Sequence, residues 1–152
     1  MVDLNISYLE RKIIMSKERN IQAQETFGDA VNSGNLENIR GVVSENVKDH
    51  DPAEIQGKGA QGFIDFFSMM RKAFPDFKVD VKHMVTDEEN VSFAYTASGT
   101  HKGNFMGISP TGKSFQVRGM QISRFEDGKL IERWGSTDEL GILKQLGFDP
   151  TS

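Results

Sequence analysis

The chain has 152 residues, a length that favours one domain with a hydrophobic core and is short for two. It has no cysteine, which excludes disulfides, thiolate metal sites and cysteine nucleophiles, and we expect a cytoplasmic protein. The net charge is −4 with acids and bases interspersed, and no apolar run approaches the roughly 20 residues that span a bilayer, so we expect neither nucleic acid nor membrane as a partner.

The first part of the chain is predicted to be helical. Residues 1–14 precede Met15 and Ser16, a pattern typical of a chain start with a capping serine, so we interpret 1–14 as an extension outside the fold and 15–152 as the single domain. Apolar residues at helical spacing predict helices over 18–32, over 35–44 and from about Gly57 to Phe74. The third helix carries a broad aromatic stripe that includes Phe67.

After Pro75 the pattern changes to alternation, which is typical of strands. We expect strands over 77–84, 91–101, 113–126 and 129–137, with a short extended piece at 45–48 and a tight hairpin at Asp127-Gly128. The connection 103–112 includes Met106 and is unusually apolar, so we expect it to cover something. Because the predicted helices precede the predicted strands along the chain, we expect an α+β fold, with a curved antiparallel sheet and the N-terminal helices on one face.

The end of the last strand carries the first candidate for chemistry. Alternation places Trp134 and Asp138 on one face, which also contains Leu130, Glu132 and Ser136. Asp138 also precedes a short apolar helix that ends near Gly147, so it is either an N-cap or a carboxyl group that exchanges protons in a pocket. Trp134 is likewise either a core residue or a platform for a ligand.

Two further polar residues have alternative interpretations. Gln121 lies in mid-strand among apolar neighbours, which indicates either a cavity wall or a wet dimer face. His50 lies beside Pro52 in a turn, where it either lines a pocket or is an ordinary surface residue. One histidine with adjacent carboxylates lacks the spaced second and third ligands of zinc or iron sites, so we expect no metal.

Six motifs follow one another in order over about residues 18–147. They are Asp49-His50-Asp51-Pro52, Phe74-Pro75-Asp76-Phe77, Gly99-Thr100-His101, Gly107-Ile108-Ser109-Pro110-Thr111-Gly112-Lys113, Phe125-Glu126-Asp127-Gly128-Lys129, and Asp138-Glu139-Leu140-Gly141 with Gln145-Leu146-Gly147. Together they resemble the SnoaL-like polyketide cyclase family, a group that includes sequences labelled ester cyclases. The resemblance implies the cone-shaped, cystatin-like α+β fold of the nuclear transport factor 2-like superfamily, with a deep pocket and commonly a homodimer.

The same resemblance implies a mechanism and a set of site residues. The cyclases that the chain resembles close a ring by intramolecular aldol condensation, without metal or organic cofactor, and use an aspartate as acid/base. The residue that matches this aspartate is Asp138, with His50 as the first candidate hydrogen-bond donor to the enolate. We expect a small apolar molecule to bind in the pocket, where the candidate contacts are Trp134, Gln121, His101, Tyr95, Phe67 and Met106.

Two other classes of function stay open. One is a hydrophobic-ligand-binding protein of the same fold without catalysis, because one fold hosts many functions. The other is an epoxide hydrolase or ketosteroid isomerase of the superfamily. An Arg that bridges two carboxylates in the pocket would indicate the hydrolase, and a Tyr paired with a protonated carboxylic acid would indicate the isomerase, for which Tyr95 is the candidate.

Overall fold

The computed structural model describes residues 7–151. Helices dominate the first half of that range and four consecutive strands follow, which confirms the predicted α+β class. In chain order the elements are α1 (Tyr8–Ser33), a 3₁₀ helix (Leu36–Gly41), β1 (Val43–Asp49), α2 (Gly59–Ala73), β2 (Lys78–Thr86), β3 (Asn90–Thr100), β4 (Ser114–Glu126), β5 (Lys129–Thr137) and α3 (Glu139–Gln145). Within the described range, every helix is too short or too polar to cross a lipid bilayer.

The five strands form one sheet in the order β1-β5-β4-β3-β2. Strands β2 to β5 pair in antiparallel fashion, as predicted, and the hairpin between β4 and β5 turns at Asp127 and Gly128, both with positive φ. The sheet is nevertheless mixed, because β1 pairs in parallel with β5 at one edge. The local pattern at 45–48 predicted an extended piece, but its partner strand lies near the other end of the chain and leaves no local signal.

Helix α1 begins earlier than the sequence pattern predicted. Ser7 and Glu10 form a capping box, in which the Ser7 hydroxyl accepts from the Glu10 N–H and the Glu10 carboxylate accepts from the Ser7 N–H at 2.7 Å. The predicted cap Ser16 therefore lies inside the helix. Residues 8–15 are mostly exposed and the buried stripe of α1 begins at Asn20. The assignment of 1–14 as an extension outside the domain stays a prediction, and residues 1–6 lie outside the described range.

The second predicted helix is shorter than expected. A 3₁₀ helix ends at Gly41, and Val43, predicted as helical, is the first residue of β1 and is 1% exposed. Val43 pairs with Leu130 of β5, and the Leu130 N–H donates to the Val42 carbonyl. Pairing with the sheet therefore overrides the local helical spacing of these valines.

The helices pack on one face of the sheet, which we call the inner face. The ring of Phe74, directly after α2, lies 4.9 Å from the ring of Phe115 on β4. Strand β3 alternates between buried and half-buried residues, and its buried side chains are Val91, Phe93, Tyr95 and Ala97. The opposite, outer face carries exposed apolar side chains, among them Met120 at 64% and Ile122 at 44% exposure.

Candidate functional site

Three cross-strand rows on the inner face change from apolar to polar between β3 and β5. Residues in direct register on neighbouring strands share a face, so the register defines the rows. The rows are Val91, Ser123, Arg133 and Asp49; Phe93, Gln121 and Gly135; and Tyr95, Gly119 and Thr137. We call Asp49, Gln121, Ser123 and Arg133 the inner polar patch.

Hydrogen bonds connect the four residues of the inner polar patch in a chain. Arg133 Nη1 donates to Asp49 Oδ1 at 2.9 Å, and Arg133 Nε donates to Gln121 Oε1 at 3.0 Å. Gln121 Nε2 in turn donates to Ser123 Oγ at 2.9 Å. The Asp49 and Arg133 side chains are 8% and 16% exposed, a degree of burial at which each charge needs its partner. Gln121 thus lies on the inner face and not on the outer one.

Two glycines create room on this face. A Cβ at Gly119 would lie 2.3 Å from the ring of Tyr95, and a Cβ at Gly135 would lie 2.5 Å from Arg133 Nη2. The absence of side chains lets Tyr95 reach across β4, where its hydroxyl bonds to Thr137 Oγ1 at 2.5 Å. It also lets the Arg133 guanidinium lie against the backbone of its own strand.

An open depression lies at the edge of β5 where β1 has ended. It is lined by Asp51, Pro52 and residues 135–140. Strand β1 ends at Asp49, opposite Arg133, so the backbone of β5 beyond Arg133 is not covered by a neighbouring strand on that side. The Asp51 carboxylate takes the place of the strand and accepts from the Gly135 N–H at 2.9 Å.

Asp138 lines this depression and also caps α3. Its Oδ1 accepts from the Gly141 N–H at 2.8 Å, which is the N-cap interpretation from the sequence. Its other carboxylate oxygen, Oδ2, makes no hydrogen bond to the residues that the structure describes. Asp138 is exposed, whereas Trp134 is half-buried. The cap therefore occupies one carboxylate oxygen of a residue that lines the depression.

Trp134 lies on the outer face, because a bulge in β5 breaks the predicted alternation. Near the hairpin Phe125 pairs with Leu130, whereas beyond the bulge Ile122 pairs with Trp134. The extra residue moves Leu130 to the inner face and Trp134 to the face of Ile122. The prediction that Leu130 and Trp134 share a face is therefore wrong, and a contact of Trp134 with a ligand on the inner face has no support from its position.

His50 also lies on the outer face, stacked on Trp134 with ring centroids 4.6 Å apart. Its Nε2 bonds to Glu132 Oε1 at 2.7 Å, and Glu132 also accepts from Arg124 at 3.2 Å. The hydrogen bond from His50 and the weaker contribution of Arg124 lower the pKa of Glu132 below its ordinary value. His50 follows inward-facing Asp49 by one residue, which explains why it points away from the inner polar patch.

The other residues predicted to contact a ligand lie in separate parts of the fold. His101 is fully buried, with Nδ1 accepting from the Thr111 N–H at 3.2 Å and the ring packed near Phe74. Phe67 belongs to an aromatic cluster between the helices, where it contacts Phe27 edge-on. Met106 lies in the connection after β3 and is 68% exposed. Of the predicted contacts, the structure places only Gln121 and Tyr95 in the rows that lead to the depression beside Asp138.

Arg133 and Asp49 are members of the inner polar patch that the sequence pattern did not predict as site residues. Arg133 directly precedes Trp134 and so lies on the opposite face, which is the inner one. The alternation of β4, which placed Gln121 with Phe115 and Val117, would have identified Arg133 if the bulge had been known. No group of three His, Asp or Glu side chains within residues 7–151 is arranged to hold a metal ion.

Comparisons with known proteins give a consistent result. A family model described as SnoaL-like polyketide cyclase matches residues 21–146. TsrD from Streptomyces laurentii is 25% identical, with a TM-score of 0.77 and coverage of 86% of this chain and 96% of that chain. IdmH from Streptomyces antibioticus, a proposed polyketide cyclase, is 28% identical, with a TM-score of 0.75 and coverage of 84% and 98%. AclR from Streptomyces galilaeus, a proposed hydroxylase, is 28% identical, with a TM-score of 0.75 and coverage of 88% and 87%. None of the curated proteins matches the chain.

Proposed function

Because the chain belongs to the SnoaL-like polyketide cyclase family, we propose that it is a cyclase-type enzyme that moves a proton on a small apolar carbonyl compound. In this proposal Asp138 is the acid/base, the reaction needs neither metal nor organic cofactor, and the protein works as a homodimer in the cytoplasm. The observation that carries the proposal is the position of Asp138, a residue that lines the depression while one of its carboxylate oxygens is held by Gly141.

The proposed reaction conserves atoms and electrons. Asp138 removes a proton from a carbon between two carbonyl groups, where the proton is acidic enough for good positioning to suffice. The enolate carbon attacks a ketone carbonyl of the same molecule, which forms one carbon–carbon bond and one alkoxide. Protonated Asp138 then returns the proton to that alkoxide, so the product is an isomer of the substrate.

The cap bond contributes to this role. A carboxylate that rotates freely would present its oxygens in many directions, whereas the bond from the Gly141 N–H restricts Asp138 to one orientation.

Substitutions of Asp138 can separate its role as a helix cap from its proposed role as acid/base. Asn caps a helix about as well as Asp, so Asp138→Asn should keep the free energy of unfolding within about 0.5 kcal/mol of the wild-type value. The same change removes the base and should lower kcat by about 100-fold or more on a synthetic aromatic triketone, in which a methylene between two carbonyls can reach a third ketone. Asp138→Ala, the matched variant, should lose both kcat and about 1 kcal/mol of stability. Full turnover by Asp138→Asn would remove the acid/base assignment.

A second candidate, a non-catalytic protein that binds a hydrophobic ligand, is favoured by the exposure of Asp138. If this is the function, the triketone binds to Asp138→Ala and to the wild-type protein with the same affinity, and neither protein turns it over.

The contacts of Arg133 and Tyr95 favour the cyclase over the hydrolase and isomerase alternatives. Arg133 pairs with one carboxylate, Asp49, and its other oxygen contacts are the Gln121 side chain at 3.0 Å and the main-chain carbonyl of Asp51 at 3.4 Å. Tyr95 pairs with the hydroxyl of Thr137 instead of a carboxylic acid. Neither arrangement has the features expected of those two enzymes.

A further inference from the structure

The guanidinium of Arg133 has hydrogen-bonding capacity that the fold does not use. A guanidinium has five N–H donors, of which Nε serves Gln121 and Nη1 serves Asp49 and the Asp51 carbonyl. Nη2 makes no hydrogen bond to the residues that the structure describes, which leaves two donors. These donors belong to a side chain that is 16% exposed, so they are shielded but reachable.

The free side of the guanidinium lies beside Gly135, a residue that also lines the depression with Asp138. Nη2 lies so close to Gly135 that a Cβ there would be 2.5 Å away, and Gly135 lines the depression. The uncovered edge of β5 runs from Gly135 through Thr137 to Asp138. A ligand that extends from the depression across Gly135 would therefore come within reach of both Asp138 and Nη2.

The guanidinium is also held in place before any ligand arrives. Asp49 binds it from β1, Gln121 binds it from β4, and Gln56 Nε2 fixes the other oxygen of Asp49 at 3.0 Å. Donors that are fixed in a shielded site stabilise developing charge more than donors that must first reorient.

We propose that Arg133 is a second catalytic residue, whose Nη2 donates to the enolate oxygen that forms when Asp138 removes the proton. This inference rests on the proposed function, since it names the group that stabilises the intermediate of that reaction. The enolate oxygen accepts hydrogen bonds from Nη2, no covalent bond forms, and Asp49 stays paired with Nη1 throughout. The ligands that fit are carbonyl compounds with an acidic α-proton and phenolates, which place an oxyanion on an apolar skeleton.

The experiment measures preference for the oxyanion without requiring turnover. The probe is hydroxynaphthyl methyl ketone, an apolar carbonyl compound whose phenolate has its own absorbance band and stands in for the enolate. Titration of the bound probe should give a phenol pKa at least about one unit below that of the free probe, which corresponds to about tenfold tighter binding of the anion. The methyl ether of the probe, which has no phenolate, should bind with a pH-independent affinity.

The variants compare two arginines on opposite faces of the sheet. Arg133→Gln should abolish the pKa shift of the bound probe, whereas Arg124→Gln should keep it, because Arg124 is in an ion pair with Glu132 on the outer face. Arg133→Gln alone leaves Asp49 buried and unpaired, so the double variant Asp49→Asn with Arg133→Gln removes both charges and tests the same point in a folded protein. Arg133→Lys should recover part of the shift, since it keeps the charge but not the planar fork.

Each outcome decides the inference separately from the proposed function. The inference is overturned if the wild-type protein does not prefer the phenolate, if the double variant keeps the preference, or if Arg124→Gln removes it equally. Asp138→Asn should retain the preference, because Asp138 does not donate to the oxyanion. A protein that prefers the phenolate through Arg133 but never turns over the triketone would refute the proposed cyclase and leave an oxyanion-binding residue in place.

Discussion

Gly119 and Gly28 differ in what an added methyl group would meet. At Gly119 the Cβ would overlap the ring of Tyr95 at 2.3 Å, and at Gly28, within α1, nothing lies within 4 Å. Gly119→Ala should therefore lower the free energy of unfolding by about 2 kcal/mol, because the ring has to move off its hydrogen bond to Thr137. Gly28→Ala should raise it by about 0.5–1 kcal/mol through helix propensity alone.

Urea unfolding followed by circular dichroism measures both values, with Gly28→Ala as the matched control for the size of the change. Tyr95→Phe in the Gly119→Ala background should cost little more, since the first substitution already breaks the Tyr95 to Thr137 bond. A Gly119→Ala protein as stable as the wild type would mean that the ring of Tyr95 does not lie over this glycine.

Glu132 makes stability depend on pH in the acid range. The pKa of Glu132 is lowered in the folded protein by the hydrogen bond from His50 and by Arg124, so the folded state binds fewer protons than the unfolded one. The stabilisation is fully present above the unfolded value of about 4.5 and is lost as the pH falls through the lower folded value.

Comparison of the wild type with Glu132→Gln tests whether this stabilisation is lost as the pH falls. The difference in unfolding free energy between the two proteins should be largest above the unfolded pKa of about 4.5 and should close as the pH falls through the lowered pKa of folded Glu132, below which both side chains are neutral. Urea midpoints across that range give the measurement. A difference that persists unchanged at the acid end would indicate that the interactions of Glu132 do not depend on its charge.

At the scale of elements, the first two turns of α1 contribute little to the core. Residues 8–15 are mostly exposed, and the buried stripe of the helix starts at Asn20, whose side chain binds the Glu88 carbonyl. A chain that starts at Met15 should lose helical signal but keep its unfolding free energy within about 1 kcal/mol, because it loses the Ser7 cap and little buried area.

This truncation also tests whether residues 1–14 lie outside the domain. The control is a chain that starts at Gln22, which removes Asn20 and Ile21 as well and should unfold at clearly lower urea. If the Met15 start destabilises the protein by several kcal/mol, the extension belongs to the folding unit.

The elements that could be predicted well are those whose sequence pattern lies within the element itself. Strands β2 to β5 show period-two alternation, and Asp127-Gly128 fixes their last hairpin, so both their existence and their order followed from the pattern. The six motifs likewise predicted the family, and the match of the family model to residues 21–146 confirms it. By contrast, the pairing of β1 with β5 joins distant parts of the chain and had no local signal.

The candidate site was harder to predict because it depends on one extra residue in β5. A two-residue hairpin without a bulge would place Trp134 opposite Gln121, whereas the bulge places Gly135 there and turns Trp134 outward. Alternation alone cannot reveal such a shift. The position of Asp138 as a cap was predictable from its place before an apolar helix, and its catalytic role stays a prediction.

At the scale of the whole molecule, the outer face carries an apolar row that a monomer would leave in water. Val85, Ile122 and Trp134 follow one another across β2, β4 and β5, with Ser92 between the first two, and Met120 lies in the next row. Val85 is 56% exposed and Met120 64%. Contiguous apolar patches on an otherwise charged protein indicate an interface, and a two-fold axis would bring the same row of a second chain against this one.

We therefore predict a homodimer that packs through its outer faces. Light scattering after size exclusion should give the mass of two chains for the wild type, and Met120→Lys with Ile122→Lys should shift the protein to the mass of one chain, since four lysines would then be buried against each other. Ile55→Lys is the matched control, because Ile55 is 69% exposed in the loop between β1 and α2 and is not part of the sheet, and it should leave the dimer intact. Because Arg133 and Asp138 belong to the inner face and the β5 edge, the monomeric variant should still lower the pKa of the bound naphthol. A wild-type protein with the mass of one chain, or a double lysine variant that remains a dimer, would show that the outer face does not hold two chains together.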